Sequence, residues 1–480
     1  MIVGIGPHAQ RTYIPQLQAL GKDHGEMVKA GVDVEEKRIQ VTEWALKHCP
    51  KMKTHFVPFF TDVMPAHVKT ALDHLVDTLE INALVVSTEP LAHKAYALWA
   101  MGRGLSILMD KPITTRERAT VDINEARGIA EDYHKLFAEY SALQKHTRTC
   151  FMVSSHRRFN PIFKRAMSYI REIAEHTGCP VTGISASYCD GTFRLPLETL
   201  EQRYHTYSKG YGKVSHSGYH ILDLTCCFAK AGIIPKKSPD SIDVISSFIS
   251  PKGFFRQLRE EDYQNLFGVA EYQSVCTESE QDLAQRAQGY GEIDAVAQLT
   301  FRQEGDPVML AQLNISSTGY GQRSTLHPNP DQYKGNGRVK HEAYEIRSGP
   351  FQTIYIESRS IADDGSACTP GNFQTGANNH FEMQVFRNHE LTGHAQPMEV
   401  LHLADLADEL GYSHEKLYTE QAKSTMILEM ILFIEGKIDY PELTSNLDDH
   451  RLPAEIMSAM YVSHILDKKV GNPVATISLP

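Results

Sequence analysis

The chain has 480 residues, of which 41% are hydrophobic and 22% charged, a composition typical of a globular protein of about two or three domains. Its formal net charge of −11 is spread over the whole length without a basic stripe, which argues against nucleic acid or an anionic membrane surface as a partner. The longest apolar runs, at 81–86 and 426–433, are far shorter than the roughly 18 residues of a membrane span. Eight scattered cysteines without a CxxC pair suit a reducing compartment, and we expect a cytoplasmic protein.

The chain opens on a short apolar strand followed by a glycine-rich turn. In MIVGIGPHAQ, the positions of Gly4, Gly6 and Ala9 match the G-x-G-x-x-A pattern of dinucleotide-binding turns, with His8 inside the pattern. Gly4 would permit the tight turn, Gly6 would let the backbone approach a pyrophosphate, and Ala9 would keep the following helix close to the strand. The phosphates would then lie on the N-terminus of that helix. The pattern by itself is weak, and an ordinary turn is the alternative.

A carboxylate in the second predicted strand favours NAD as the cofactor. The apolar segment 27–36 contains Asp33, a natural position for binding both hydroxyls of the adenosine ribose. Its separation from Gly4 exceeds the usual ~20 residues, which a longer loop before the strand would absorb. Because a carboxylate repels the 2′-phosphate of NADP, NAD is the expected cofactor. Lys37 and Arg38 follow shortly afterwards and leave NADP as the alternative.

Strands and helices continue to alternate up to about residue 115. The predicted elements are, in chain order, a helix at 38–48, a strand at 54–60, a helix at 62–79, a strand at 81–90, a helix at 91–104 and a strand at 105–114. Near-continuous apolar strands separated by helices predict an α/β Rossmann domain with a doubly wound parallel sheet, which we place at residues 1–150. Ligands of such sheets bind beyond the carboxyl ends of the strands. The predicted cofactor-binding residues at these ends are Thr88, Pro90, Asp110, Lys111 and Pro112.

The segment STEPLAHKAYALWAMGRGLSILMDKPIT, residues 87–114, resembles the segment that marks the Gfo/Idh/MocA oxidoreductases, the family of glucose–fructose oxidoreductase and inositol dehydrogenase. That family usually has an acidic residue, a lysine and a proline at this point, and this chain has Asp110, Lys111 and Pro112. His93 matches the family's histidine after its proline-containing loop, and we include it in the cofactor site. The resemblance implies a cis Lys111–Pro112 bond and a lysine that points toward nicotinamide and substrate.

Two further segments extend the resemblance. Residues 149–167, TCFMVSSHRRFNPIFKRAM, resemble the family's sixth strand and its continuation, and residues 212–224, GKVSHSGYHILDL, resemble a helix that begins near a glycine and carries a histidine. In this chain these are Gly218 and His220, with Asp223 three residues later. The resemblance implies an NAD(P)-dependent oxidoreductase that transfers a hydride between nicotinamide and a hydroxyl or keto carbon of a sugar, polyol or related compound.

The family assigns catalysis to its motif lysine and its helix histidine, which here are Lys111 and His220. A lysine ammonium can polarise a carbonyl, and a histidine can move the proton of the reacting oxygen near neutral pH. A surface lysine and a structural histidine are the plain alternative. A nicotinamide-binding regulator or sensor without turnover is the alternative function, because the resembling family contains such members.

His216 stands where the family often has an aspartate, four residues before His220. On a regular helix the two histidines would share one face, and His216 would donate to a substrate oxygen, so we count it among the catalytic candidates. Two histidines one turn apart can also bind zinc. Only Asp190 or Cys189 could approach as a further ligand, and we expect no metal.

Several polar side chains are predicted to bind the substrate. They lie near the ends of elements that would face the expected site, and they are Arg158, Tyr188, Lys213 and Asp223. Arg194 is a further candidate of the same kind. For such positions a solvated or structural side chain is an equally good interpretation.

From residue 151 onward, strands follow one another without intervening helices, which predicts an α+β domain at 151–480 with a large open, mainly antiparallel sheet. Helices such as 160–175 would cover one face, and a helical tail would begin at Met398. The resemblance implies that the other face forms the oligomer interface, so we expect a homodimer or homotetramer. The polar, partly helical segment 251–291 has no assigned role.

Overall fold

The structure, a computed structural model, describes residues 1–25, 27–327, 337–361, 379–409 and 418–479. The contacts between residues divide the chain into two compact units. The first unit consists of Met1–Thr115, Ile129–Asn160 and Tyr418–Ala454, and the second of Arg116–Gly128, Pro161–Leu417 and Glu455–Pro480. A segment close to the C-terminus therefore folds together with the N-terminal sheet. The domain limits of 1–150 and 151–480 stay a prediction.

The first unit contains a six-stranded, entirely parallel sheet with the strand order β3-β2-β1-β4-β5-β6. Its strands are β1 (Ile2–Val3), β2 (Ala30–Val34), β3 (Lys53–Val57), β4 (Ala83–Val86), β5 (Ser106–Met109) and β6 (Phe151–Val153). This order places the topological switch point between β1 and β4, where Rossmann sheets bind their ligands. The predicted Rossmann fold is thereby confirmed. The first strand has only two paired residues, and most predicted strands are longer than the observed ones.

Both faces of this sheet are covered, which explains the continuous apolar strands. In β5, Ile107 and Met109 belong to one hydrophobic cluster and Leu108 to another on the opposite face. The helices of this part of the chain are α1 (Ile14–His24), α2 (Arg38–His48), α3 (Ala66–Leu79), α4 (His93–Gly102) and α5 (Ile123–Leu143). The late helix α15 (Tyr418–Ile434) adds Met426 and Met430 to the cluster that contains Leu108.

The second unit contains a nine-stranded sheet with the order β14-β13-β12-β11-β7-β10-β9-β8-β15. Its strands are β7 (Gly183–Thr192), β8 (Ser241–Ile249), β9 (Asp294–Gln303), β10 (Asp306–Thr318), β11 (Val339–Ser348), β12 (Gln352–Ile361), β13 (Asn379–Arg387), β14 (Met398–His402) and β15 (Ala475–Ser478). All neighbouring strands are antiparallel except β7 and β10, which are parallel. The predicted large, mainly antiparallel sheet is confirmed.

Helices α6 (Pro161–Thr177) and α8 (Tyr219–Ala231) pack on one face of the second sheet. There Phe163 and Phe228 contact Tyr344 of β11, with ring centroids 5.6 and 5.5 Å apart. The remaining helices of this part of the chain are α7 (Pro196–Glu201), α9 (Pro251–Phe254), α10 (Glu260–Phe267), α11 (Val269–Val275), α12 (Glu280–Arg286), α13 (His389–Thr392), α14 (Leu403–Glu409) and α16 (Arg451–Val470). The tail after Met398 therefore contains two strands as well as helices.

None of the described helices that pack on the second sheet covers its opposite face. A groove of about 720 Å³ crosses it, and exposed side chains such as Val296, Leu310 and Tyr355 lie along its strands. The segment 251–291 forms the short helices α9 to α12. Their small core, where Tyr263 and Tyr272 stack with centroids 5.2 Å apart, also includes Leu195, Leu200 and Tyr207 from outside the segment. Among the described residues, no helix combines the length and the apolar character that crossing a membrane requires.

Candidate active site

The glycine-rich turn after β1 has the geometry of a phosphate cradle. Gly4 has φ +84°, and a Cβ built there would lie 2.2 Å from the carbonyl oxygen of Ser87, so a side chain is excluded at this position. A Cβ built on Gly6 meets no atom within 4 Å, which leaves open space beside the turn. Ala9 is buried and begins a wide helical turn, Ala9–Tyr13, that leads into α1. The space beside Gly6 fits a pyrophosphate approaching the backbone.

The wide turn has a local cause. Pro15 is the second residue of α1, so it offers no N–H to the carbonyl four residues earlier, and its ring crowds that carbonyl. A widened turn just before the proline accommodates both effects. It leaves Tyr13 buried and facing the end of β5.

Asp33 lies at the carboxyl end of β2 and is buried. Its Oδ2 accepts a hydrogen bond from the backbone N–H of Ile5 at 2.8 Å, which ties the glycine turn to the second strand. Lys37 approaches Asp33 with its Nζ 3.6 Å from Oδ1. Arg38 forms two hydrogen bonds to Glu35 instead, at 2.6 and 2.7 Å. Arg38, one of the two cations that could bind a 2′-phosphate, is thus paired with Glu35.

Asp110 is held by three side chains of the same unit. Its carboxylate accepts hydrogen bonds from Tyr13 Oη and, at 2.7 Å, from Ser87 Oγ, and His8 Nε2 lies 3.7 Å away. Burial alone would raise the pKa of Asp110, but His8 and the two hydroxyl donors outweigh it and lower the pKa. The backbone that leads into Lys111 is therefore fixed from its N-terminal side.

His93 fixes the same backbone from the C-terminal side. The Lys111–Pro112 bond is cis, as the resemblance implied. His93 Nδ1 donates to the carbonyl oxygen of Pro112 at 2.8 Å, and its Nε2 lies 3.3 Å from the carbonyl oxygen of Thr88. Burial lowers the pKa of His93 and favours its neutral form. This histidine connects the loops that follow β4 and β5.

Lys111 lies in a neighbourhood of histidines and a second lysine. Burial lowers the pKa of His8 to about 4, and Lys423 of α15 and Lys111 add to the shift. His156, just after β6, has its pKa lowered well below the ordinary value, first by burial and then by charges that include Lys423 and Lys111. The positive charges of Lys111 and Lys423 therefore act on both histidines, which favours the neutral imidazoles at the carboxyl ends of β1 and β6.

Arg158 contacts a part of the first unit other than Lys111 and its neighbouring histidines. It is buried, and its Nη1 and Nη2 donate to the carbonyl oxygens of Thr444 and Asp449 at 3.3 and 3.2 Å. Its Nη1 also lies 3.5 Å from the carboxylate of Asp449. Arg158 therefore holds the loop 444–449, and a substrate-binding role stays a prediction without support from these contacts.

In the second unit, His216 and His220 are not on one regular helix. Helix α8 begins at Tyr219, and His216 lies in a preceding wide turn, Val214–Gly218, with ψ −115°. The expectation of two histidines one regular turn apart is therefore wrong. The ring of His216 packs instead among aromatic side chains, with centroids 4.8 Å from His205, 5.7 Å from Tyr207 and 5.5 Å from Tyr211. His220 is buried near the start of α8.

The kinked turn at Val214–Gly218, which carries His216, has two identifiable causes. A Cβ on Gly218 would lie 2.6 Å from the carbonyl oxygen of Lys213, so the chain approaches itself more closely than a side chain permits. The buried carboxylate of Glu292 accepts hydrogen bonds from Val214 N at 2.7 Å and from Tyr461 Oη at 3.0 Å. Burial raises the pKa of Glu292 to about 7. This carboxyl group therefore braces the turn that carries His216.

Lys213 and Tyr188 both contact Asp190, at the end of β7. Lys213 Nζ forms an ion pair with Asp190 Oδ2 and lies 4.8 Å from the centroid of the Tyr188 ring, whose hydroxyl donates to Asp190 Oδ1 at 2.8 Å. Arg338 adds a second cation, with Nη2 2.7 Å from Asp190 Oδ1. Burial alone would raise the pKa of Asp190, but the charges of Lys213 and Arg338 hold it well below its ordinary value. Asp223 is fully buried within α8.

Asp190 is thus engaged by two cations. Within the part of the chain that the structure describes, no three histidine, cysteine, aspartate or glutamate side chains come together as a metal site would need. Cys189 directs its Sγ to the carbonyl oxygen of Thr318 at 3.1 Å.

Residues 1–140 match a family model, GFO_IDH_MocA, described as an oxidoreductase family with an NAD-binding Rossmann fold. The match covers 140 of the 480 residues, all in the N-terminal part of the chain. The resemblance drawn from Asp110, Lys111 and Pro112 is confirmed, and so is NAD as the cofactor of this part of the chain.

The whole chain is also similar to solved structures at low sequence identity. Levoglucosan dehydrogenase in complex with NADH is 12% identical, with a TM-score of 0.56 and coverage of 100% of this chain and 98% of that chain. An aldose-aldose oxidoreductase from Caulobacter crescentus, complexed with glycerol, is 14% identical with a TM-score of 0.53 and the same coverage. A putative myo-inositol dehydrogenase from Sinorhizobium meliloti 1021 is 13% identical with a TM-score of 0.51, again with the same coverage. At these identities the similarity shows a shared fold. A search of curated proteins found no significant match.

Sequence reasoning missed several residues of the first unit near the Asp110-Lys111-Pro112 segment. Tyr13 and Ser87 anchor Asp110, and each lies next to a predicted motif. Ser87 directly follows β4, so the rule that ligands bind beyond the carboxyl ends of parallel strands could have pointed to it. His156 follows β6 and could have been found in the same way. Lys423 carries no signal in the sequence, because it comes from a helix more than 300 residues further along the chain.

Proposed function

We propose that this protein is an NAD-dependent oxidoreductase that transfers a hydride between nicotinamide and a hydroxyl or keto carbon of a sugar, polyol or related small compound. The observation that carries the proposal is the anchored Asp110-Lys111-Pro112 segment beside a glycine turn that leaves room for a pyrophosphate. Hydrogen bonds on both sides of Lys111 hold its backbone, as a positioned catalytic ammonium requires.

The proposed roles of the side chains follow the chemistry that each can perform. Bound NAD supplies the acceptor for the hydride that leaves the substrate carbon, and NADH supplies the hydride in the reverse direction. Lys111 would hold and polarise the reacting oxygen with its ammonium group. His220 would accept the hydroxyl proton during oxidation and return it during reduction. The aromatic and histidine contacts of His216 support a part in shaping the substrate site.

We expect NADH to bind at least about tenfold more tightly than NADPH, because the 2′-phosphate would meet the Asp33 carboxylate. The pairing of Arg38 with Glu35 supports this preference. Titrating the purified protein with each cofactor, while following nicotinamide fluorescence, measures both affinities. The Asp33→Ser variant should narrow the difference, and Asp62→Ser, at an exposed position of the same unit, is the control. Binding of neither cofactor would overturn the proposed function, whereas tighter NADPH binding would overturn only the preference.

The alternative function is a nicotinamide-binding regulator without turnover. The observation that favours it is His216, a histidine at the position where the family often has an aspartate, on a kinked turn. A regulator would bind NADH but oxidise no member of a sugar and polyol panel in the presence of NAD. Turnover that depends on Lys111 would exclude this alternative.

We further propose a cytoplasmic homodimer or homotetramer. The open face of the second sheet, with its groove and exposed apolar side chains, supports the association of copies through this face. The seven cysteines within the described residues are all free thiols, which supports a reducing compartment. Light scattering on the purified protein should give two or four times the chain mass of 53.9 kDa. A monomer at micromolar concentration would contradict the proposed assembly.

A further inference from the structure

In the part of the chain that the structure describes, Arg194, just after β7, is a buried cation without an acidic partner. Its side chain is 8% exposed, and its Nη1 donates to the neutral side-chain oxygen of Gln202. Its Nε is buried and has no acceptor, and no carboxylate of the described residues forms an ion pair with the guanidinium. A guanidinium stays charged at any physiological pH, so its burial without a counter-charge is costly.

The acidic groups of this region are already engaged. Asp190 is paired with Lys213 and Arg338. Asp294, at the start of β9, accepts hydrogen bonds from Ser317 N at 2.7 Å and from the hydroxyl of Thr318 at 3.1 Å. Among the described residues, neither carboxylate forms an ion pair with Arg194, so an anion from outside the chain could supply the counter-charge that this buried guanidinium lacks.

Two sets of contacts connect Arg194 to His216 within the second unit. By the first route, the positive charge of Arg194 acts on the hydroxyl of Tyr207, where it opposes the rise of the pKa that burial causes. The ring of Tyr207 in turn packs against His216 at 5.7 Å. By the second route, the Gln202 amide donates to the carbonyl oxygens of Tyr204 and His205 at 2.7 Å each, and His205 stacks on His216.

The backbone at this point is also held in an unusual conformation. His205 has φ +52°, a left-handed value that non-glycine residues seldom adopt. The side-chain amide of Gln202 donates hydrogen bonds to the carbonyl oxygens of Tyr204 and His205 and so holds the backbone on both sides of this residue. Residues kept in such conformations cluster at ligand sites, where the surrounding structure maintains them. Gln202 thus orients both Arg194 and the loop that carries His205.

We propose that the substrate of this enzyme carries an anionic group, a carboxylate or a phosphate, and that the guanidinium of Arg194 binds it. This inference rests on the proposed oxidoreductase function and narrows its substrate class to acidic sugars or polyols. The planar guanidinium matches the two oxygens of a carboxylate or phosphate in a paired geometry, which neither Lys213 nor a histidine could replace. Lys213 and Arg338 add positive potential around the same region.

Matched ligands test the proposal without knowledge of the natural substrate. D-Glucose, D-glucuronate and D-glucose 6-phosphate differ only at C6, and sorbitol and D-gluconate form a second pair of neutral and acidic compounds. Their affinities for the NADH complex are measured by calorimetry. We expect at least one acidic member to bind about tenfold or more tightly than its neutral counterpart, as a charge-assisted hydrogen bond provides. The glucuronate and glucose 6-phosphate arms distinguish carboxylate from phosphate.

Variants then assign the effect to Arg194. Arg194→Gln should remove most of the preference for the acid, Arg194→Lys should keep only part of it, and NADH binding should stay unchanged in both. Arg203→Gln, at an exposed arginine nearby, is the matched control and should keep the full preference. If Arg194→Gln does not fold, the affinities of wild type for acidic and neutral ligands, together with the partial preference expected of Arg194→Lys, still test the proposal.

The outcomes separate this inference from the proposed function. Acidic compounds that bind no better than their neutral counterparts, including the case in which none binds, would overturn the inference while NADH binding and Lys111-dependent turnover remain intact. A preference for the acid that survives in Arg194→Gln would also overturn it. Failure to bind NADH at all would instead overturn the proposed function.

Discussion

Replacing Lys111 by methionine is expected to lower kcat by about 10²- to 10⁴-fold, the usual effect of losing a positioned proton-transfer or polarising group. Methionine keeps the length and much of the volume of lysine but has no charge, so the backbone held by Asp110 and His93 should persist. The dissociation constant for NADH should change little, because the proposed role lies with the reacting oxygen. Steady-state kinetics on an active substrate and NADH fluorescence measure the two quantities separately.

Lys69→Met is the matched control, since Lys69 is exposed on α3. It should leave kcat unchanged. A Lys111→Met variant that keeps wild-type turnover would contradict the catalytic role and would favour the regulator. A variant that loses NADH binding and melts early would show a structural role instead.

Replacing Asp190 by asparagine is expected to reduce the free energy of unfolding by about 3–5 kcal/mol, the usual cost of removing one partner from a buried ion pair. Lys213 and Arg338 would then remain buried without their shared carboxylate. For a unit of this size the melting temperature should fall by roughly 10 °C. Thermal unfolding followed by circular dichroism measures the change. Asp306→Asn, at an exposed site on β10, should shift it by less than about 0.5 kcal/mol.

The ion pairs of Asp190 with Lys213 and Arg338 also predict how the free energy of unfolding depends on pH. The pKa of Asp190 in the folded protein lies well below its ordinary value, because Lys213 and Arg338 stabilise the carboxylate. A group with a depressed folded pKa contributes its full stability above its unfolded pKa of about 3.9 and loses it as the pH falls through the folded value. The stability difference between wild type and Asp190→Asn should therefore be constant from pH 7 to about 5 and shrink below about pH 4. A difference that grows with acidification would contradict this assignment.

The N-terminal half of the candidate site could be predicted because its signals are local. Gly4, Gly6 and Ala9 lie within one turn, and Asp110, Lys111 and Pro112 are consecutive and follow an apolar strand. The alternation of apolar strands and helices predicted a parallel sheet, and the carboxyl ends of adjacent parallel strands lie at one edge. The residues after β4 and β5 were therefore expected to be neighbours, and His93 connects them.

The second unit was harder to predict at the level of side chains. A run of strands indicates an antiparallel sheet, but the nine-strand order depends on which edges pair, and β7 lies between β10 and β11. That placement brings Arg338 to Asp190 across 148 residues of chain. Spacing also suggested a regular helix through His216, whereas Glu292 and the close approach at Gly218 impose a kinked turn. Neither effect is visible in helical periodicity.

The Rossmann fold, the resemblance of the N-terminal part to the Gfo/Idh/MocA oxidoreductases and the motif around Lys111 could be predicted from local sequence, because each of these depends on residues close together in the chain. Which charged side chains come into contact, in contrast, depends on the tertiary structure. Long-range packing pairs Arg158 with Asp449, surrounds Asp190 with two cations and leaves Arg194 without an acidic partner among the described residues. The physical reason is that the energy of a buried charge depends on which groups the fold brings within a few ångströms, and this depends on long-range packing rather than on local pattern.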